Sequence, residues 1–147
     1  MTSRKILILG VGNTIRSDDG AGAYACDIIE EQKIRGVFTQ KIQQLQTEII
    51  DTFLEYDFVL IADASVEVKE VVIKKVAEIL TGPISSSHHS NAAMLLAIAK
   101  KLYQAEINLY TCAIPAENFD AGEGLTKFAK KNADEAVEKI MSWVNII

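Results

Sequence analysis

Two stretches of this chain, Ile6-Leu7-Ile8-Leu9 after Lys5 and Phe58-Val59-Leu60-Ile61-Ala62, are continuous apolar runs of strand length. Successive residues of a strand point to opposite faces, so a run that never alternates with polar residues must be buried on both. Strands of that kind belong to an α/β sheet covered by helices. The rest of the pattern agrees. After the loop Gly10 to Asp19, apolar residues recur at Ala21, Tyr24, Ala25, Ile28 and Ile29, with Glu30, Glu31 and Lys33 off the stripe, which predicts an amphipathic helix. Val37 to Leu45 alternates as a strand, and Glu48 to Tyr56 reads as a short helix. Val71-Val72-Ile73 predicts a further strand, and Ser90 or Asn91 is placed to cap a helix carrying Ala92, Leu95, Leu96, Ala99 and Leu102. Ile107 to Ile114 reads as the last strand, stopped by Pro115. A long helix follows Gly124, with Glu135 and Lys139 spaced as an i,i+4 pair. Alternating strands and helices predict an α/β fold, a three-layer sandwich with helices on both faces of the sheet. At 147 residues the chain is expected to form a single domain, 1–147.

Charge narrows the partners. Fifteen Lys and Arg against twenty Asp and Glu leave a net charge of −5. There is no basic field for a phosphate backbone, so nucleic acid is not an expected partner. Apolar runs such as Ile6 to Leu9 and Ala92 to Ala99, the latter the longest, fall short of the ~20 residues that span a bilayer. Ser3-Arg4-Lys5 leads directly into a strand-like run, not a signal-peptide core. A soluble, cytoplasmic protein with no membrane partner is expected. Cys26 and Cys112 stand in apolar settings without metal-ligand spacing and read as small buried residues.

In open α/β sheets, ligands bind beyond the carboxyl ends of the strands. Three polar segments fall there: Gly10 to Gly22, Asp63, and Ser85-Ser86-Ser87-His88-His89-Ser90, which holds both histidines of the chain. Singly, each has an ordinary explanation. One of Asp18 and Asp19 caps a helix while the other favours its positive end, Asp63 forms a turn, and the histidines lie beside a cap. Together, two acids and an imidazole at one sheet edge suit a divalent ion with coordination positions left open, a catalytic and not a structural arrangement.

Two other readings use the same residues. Gly10-Val11-Gly12 after a strand suggests dinucleotide binding, but Ile15 stands where the third glycine belongs, and Asp18 and Asp19 put negative charge where a pyrophosphate must sit. A phosphoacceptor role for Asp63, as in the receiver domains of signalling systems, is the alternative switch module. Here the residues Gly10 to Ser17 separate the first strand from the acidic pair, and Cys112-Ala113-Ile114-Pro115 replaces the lysine expected after the last strand.

Four segments in register resemble one family, the nickel-iron hydrogenase maturation endopeptidases. Ile6-Leu7-Ile8-Leu9-Gly10-Val11-Gly12-Asn13 with Asp18-Asp19-Gly20-Ala21-Gly22 is similar to its first motif, and Ile61-Ala62-Asp63-Ala64 to its second. Ser86-Ser87-His88 resembles its histidine signature, and Ile114-Pro115-Ala116-Glu117 with Gly122-Glu123-Gly124-Leu125-Thr126 its C-terminal one. Where the family shows an Asp-Gly-Gly-Thr-like turn, this chain has Gln44-Leu45-Gln46-Thr47-Glu48. The resemblance implies a twisted mixed sheet of about five strands. It also implies an endopeptidase that removes the C-terminal extension of a hydrogenase large-subunit precursor after nickel insertion. Asp19, Asp63 and His88 are then the catalytic and metal-binding residues, and the nickel arrives in the precursor, with another divalent metal an option for the free protein. His88, not His89, falls in the motif register.

Overall fold

A computed structural model describes residues 4–77 and 88–147, the side chains of 88–90 excepted. The chain runs β1 (Ile6–Val11), a 3-10 turn (Ser17–Gly20), α1 (Ala21–Glu31), β2 (Val37–Ile42), α2 (Ile49–Phe53) and β3 (Phe58–Ser65). It continues through β4 (Val72–Lys75), α3 (His88–Tyr103), β5 (Leu109–Pro115) and α4 (Lys127–Ile146). The five strands form one sheet in the order β2-β1-β3-β5-β4, parallel except for β4, which runs antiparallel along β5.

The unbroken apolar runs are buried on two sides. Ile6 and Ile8 of β1, with Leu60 and Ala62 of β3, pack with Ala25, Ile29, Ala133 and Ile140 of α1 and α4. Leu7 and Leu9, with Val59 and Ile61, face the other way and pack with Phe53, Ala92, Leu95 and Ala99 of α2 and α3. The three-layer mixed sheet is therefore as expected, and alternate residues of each strand serve alternate layers.

Several boundaries differ from the sequence reading. β2 stops at Ile42, before Leu45. β3 does not end ahead of Asp63 but runs to Ser65, because Val11 of β1 and Ala113 of β5 still flank Asp63 as register partners. α3 begins at His88, so Ser90 and Asn91 lie inside the helix and not at its cap. Lys139 donates to the Val71 carbonyl at 3.1 Å, and the ion pair along α4 is Lys130–Asp134. Ser85 to Ser87 lie outside the described residues.

Candidate functional site

The strand order reverses direction between β1 and β3. From β1 the chain crosses to β2 on one side and then to β3 on the other, and the loops leaving the two strands open a crevice. Both acidic candidates come from this place, Asp19 from the loop after β1 and Asp63 from β3.

The loop after β1 is shaped around Asp19. Gly12 has φ +143, and a Cβ there would collide with the Asp19 carbonyl oxygen, so glycine is required for the chain to fold back this closely. The Asn13 N–H then donates to Asp19 Oδ2 at 2.7 Å, while the Asn13 side-chain oxygen accepts from the Ile15 N–H at 3.0 Å. Asp19 is half-buried and oriented through one oxygen, and its Oδ1 accepts no hydrogen bond from the described residues.

Asp18 has a different part from either one offered by the sequence. It is fully buried and caps neither the turn nor α1. Its Oδ1 accepts the Thr126 N–H at 2.7 Å, and its Oδ2 accepts the Glu117 N–H, the Asn118 N–H and the Thr126 hydroxyl, each at 3.0 Å. Burial alone would raise its pKa, but these hydrogen bonds outweigh burial and hold the carboxyl below its ordinary 3.8. Thr126 also caps α4, its hydroxyl oxygen accepting from the Ala129 N–H at 3.1 Å. Ser17 completes the seam, donating its hydroxyl to Asp120 O and its N–H to Gly122 O, both at 2.8 Å. Glu117 to Thr126, quoted above only as part of a motif, is thus a segment fastened by Asp18 against the floor of the crevice.

Asp63 is buried at 8% exposure. Its parity in β3 matches Val59 and Ile61, which places it on the sheet face covered by α3. Asp19 and Asp63 line one cavity of about 440 Å³, together with Glu67, Val68, Lys74, Phe119 and residues of β5. The structure therefore brings the two acids together. His88 is the first residue of the helix on that face, and its side chain, like that of His89, lies outside the described residues. Among the described residues no three His, Cys, Asp or Glu groups could hold an ion. The two acids supply oxygen donors of the type that hard and borderline divalent ions take, so the donor set fits such an ion as far as it is described. The sequence reading missed Glu67, just past the end of β3, Lys74, which the antiparallel return of β4 brings in, and Phe119 of the fastened segment.

The remaining readings find less support. A phosphate at the loop after β1 would need backbone N–H groups, and the Asn13 N–H is already given to Asp19. An antiparallel β4 at the edge departs from the all-parallel 2-1-3-4-5 order of receiver domains. Cys26 and Cys112 are free and buried, and burial pushes both thiols up to about 12. Neither is a nucleophile at neutral pH. No helix of the described residues is long and apolar enough to cross a membrane.

The fold and the site define a class: a doubly wound α/β protein whose two acids converge at the topological switch point. No family model matches the chain, and no curated protein matches it in sequence. Solved structures do. It is similar to the NiFe hydrogenase maturation protease HybD from Thermococcus kodakarensis, at 26% identity and TM-score 0.72 over 95% of this chain and 98% of that one. The hydrogenase maturating endopeptidase HybD from E. coli matches at 24% identity and TM-score 0.78, over 96% and 92% of the two chains. The maturation protease HycI from T. kodakarensis KOD1 matches at 20% identity and TM-score 0.75, over 95% and 91%. The chain thus has the fold of the nickel-iron hydrogenase maturation proteases, and the resemblance read from its motifs extends to its architecture.

Proposed function

We propose that the protein is an endopeptidase that removes the C-terminal extension of a nickel-iron hydrogenase large-subunit precursor once nickel has been inserted. The observation that carries this reading is the convergence of Asp19 and Asp63 on one cavity, in a fold shared with structures named as hydrogenase maturation proteases. In this reading Asp19, Asp63 and His88 are ligands to nickel that the precursor itself carries. The substrate's nickel would supply Lewis acidity or a bound water of lowered pKa, and the buried thiols are not needed as nucleophiles. This chain's own part is to bind and orient: Asn13 holds Asp19 through one oxygen, and the strand pairing of β3 fixes Asp63. Three ligands without sulfur make an open site of modest selectivity, so stage control falls to the precursor, which gains its anchoring contact only when metal is seated.

The test is incubation with nickel-loaded and nickel-free precursor in parallel, with the mass of the precursor's C-terminus as readout. Loss of a peptide from the loaded form alone is expected. Efficient cleavage of the nickel-free form by metal-stripped protein would refute nickel recognition. Separate alanine variants of His88 and His89 decide the register, and the defect is expected at His88.

A further inference from the structure

The cavity of Asp19 and Asp63 is not uniformly acidic. Among the described residues that line it, Lys74 is the one cation, set against Asp19, Asp63 and Glu67. Sheet register fixes its place. Val72 pairs with Ala113, which pairs with Asp63, and Lys74 pairs with Thr111, which pairs with Ile61. Lys74 therefore shares a sheet face with Asp63 but stands two strands across and two residues deeper. With ~4.8 Å between strands and ~3.3 Å per residue, the two Cα atoms are about 12 Å apart.

Lysine on an edge strand commonly guards against edge-to-edge pairing, and Lys75 satisfies that explanation without reaching the cavity. Lys74 adds something more. It is exposed and forms no ion pair or hydrogen bond among the described residues, so its ammonium is available to a ligand. Between it and the acids the cavity is lined by Ala113, Val72 and Thr111, with Val66 and Phe119 also on its walls. An extended peptide advances ~3.3 Å per residue and crosses the gap in about three to four residues.

From this we infer that Lys74 reads an acidic side chain of the bound peptide, about three residues from the group held at Asp19 and Asp63. The inference rests on the proposed endopeptidase reading and adds a substrate preference to it. Lys74 is a specificity residue and touches no reacting atom, so its loss should raise KM and leave kcat unchanged.

Two arms keep the inference separate from the activity. In the first, a short fluorescent valine-alanine peptide carrying one glutamate is titrated by polarisation against versions with glutamine or lysine there. Wild type is expected to prefer the glutamate peptide about fivefold over the glutamine one, the upper range for an exposed ion pair. Lys74→Arg should keep that preference, Lys74→Glu should turn it toward the lysine peptide, and 1 M salt should erase it, since the Debye length falls to ~3 Å. Equal affinities, absent binding included, or a preference unchanged in Lys74→Glu would overturn the inference. In the second arm, nickel-loaded precursors have each acid near the cut replaced by glutamine. One replacement should raise KM in wild type and have no further effect in Lys74→Gln. A glutamate preference through Lys74 without any cleavage would refute the endopeptidase reading alone, and cleavage without that preference would refute this inference alone.

Discussion

Replacing Asp18 by asparagine tests whether this buried carboxylate, and not Asp19 or Asp63, fastens the crevice. Four hydrogen bonds converge on Asp18, three of them on Oδ2 and one on Oδ1. An amide carries one oxygen and one NH2 group, so its best orientation keeps the oxygen with the three donors and turns NH2 against the Thr126 N–H. One charge-assisted bond is lost, at ~1.5 to 3 kcal/mol, and a buried donor is left unsatisfied, at ~1 to 3 kcal/mol. Destabilisation of about 2.5 to 6 kcal/mol follows. With ~2.1 cal/mol/K of unfolding entropy per residue over 147 residues, each kcal/mol moves Tm by about 3 °C, and the fall should be about 8 to 18 °C. Denaturant unfolding should show a lower midpoint with the slope unchanged. Amide exchange should quicken first at Glu117, Asn118 and Thr126. The pH dependence has a definite sign. The folded carboxyl titrates below its ordinary 3.8, so its stabilisation is complete above the unfolded value and is lost as pH falls through the folded one. Wild type and Asp18→Asn should therefore run parallel above about pH 5 and converge in acid. A loss under 1 kcal/mol, or a stability gap unchanged down to pH 2, would refute the clamp.

Asparagine at Asp19 or Asp63 is expected to lower precursor processing at least a hundredfold, with Tm changed by less than about 3 °C for half-buried Asp19. Processing at the wild-type rate, measured by mass, would remove that acid from the site. Gly22→Ala should cost about 1 to 3 kcal/mol by denaturant unfolding, because its Cβ would strike the Ala62 carbonyl and crowd the Val11 nitrogen at 3.1 Å, both of them backbone. Neutral stability there would show that α1 can lift from the sheet. Cys26 and Cys112, with thiols held near 12, should resist alkylation at pH 8 in the folded chain and react once it is unfolded in denaturant.

Local order in the sequence determined what local physics can specify. The unbroken runs at Ile6–Leu9 and Phe58–Ala62 could be satisfied only between two helical layers, and Ala21–Ile29 could be only a helix with one apolar side. Asp19 and Asp63 were legible as candidates because both stand where strands of such a sheet run out. Element ends were less legible. Asp63 read as a turn residue, yet pairing with Val11 and Ala113 carries β3 past it, and pairing is a property of neighbours distant in the chain. Asp18 and Asp19 are indistinguishable by spacing and charge. Only the packing of residues 117–126, about a hundred positions away, buries Asp18 among three N–H groups and a hydroxyl while Asp19 turns to Asn13 and the cavity. Lys74 likewise carries no local mark. The antiparallel return of β4 along β5 sets it opposite the acids, because a sheet brings residues together by register and not by sequence separation.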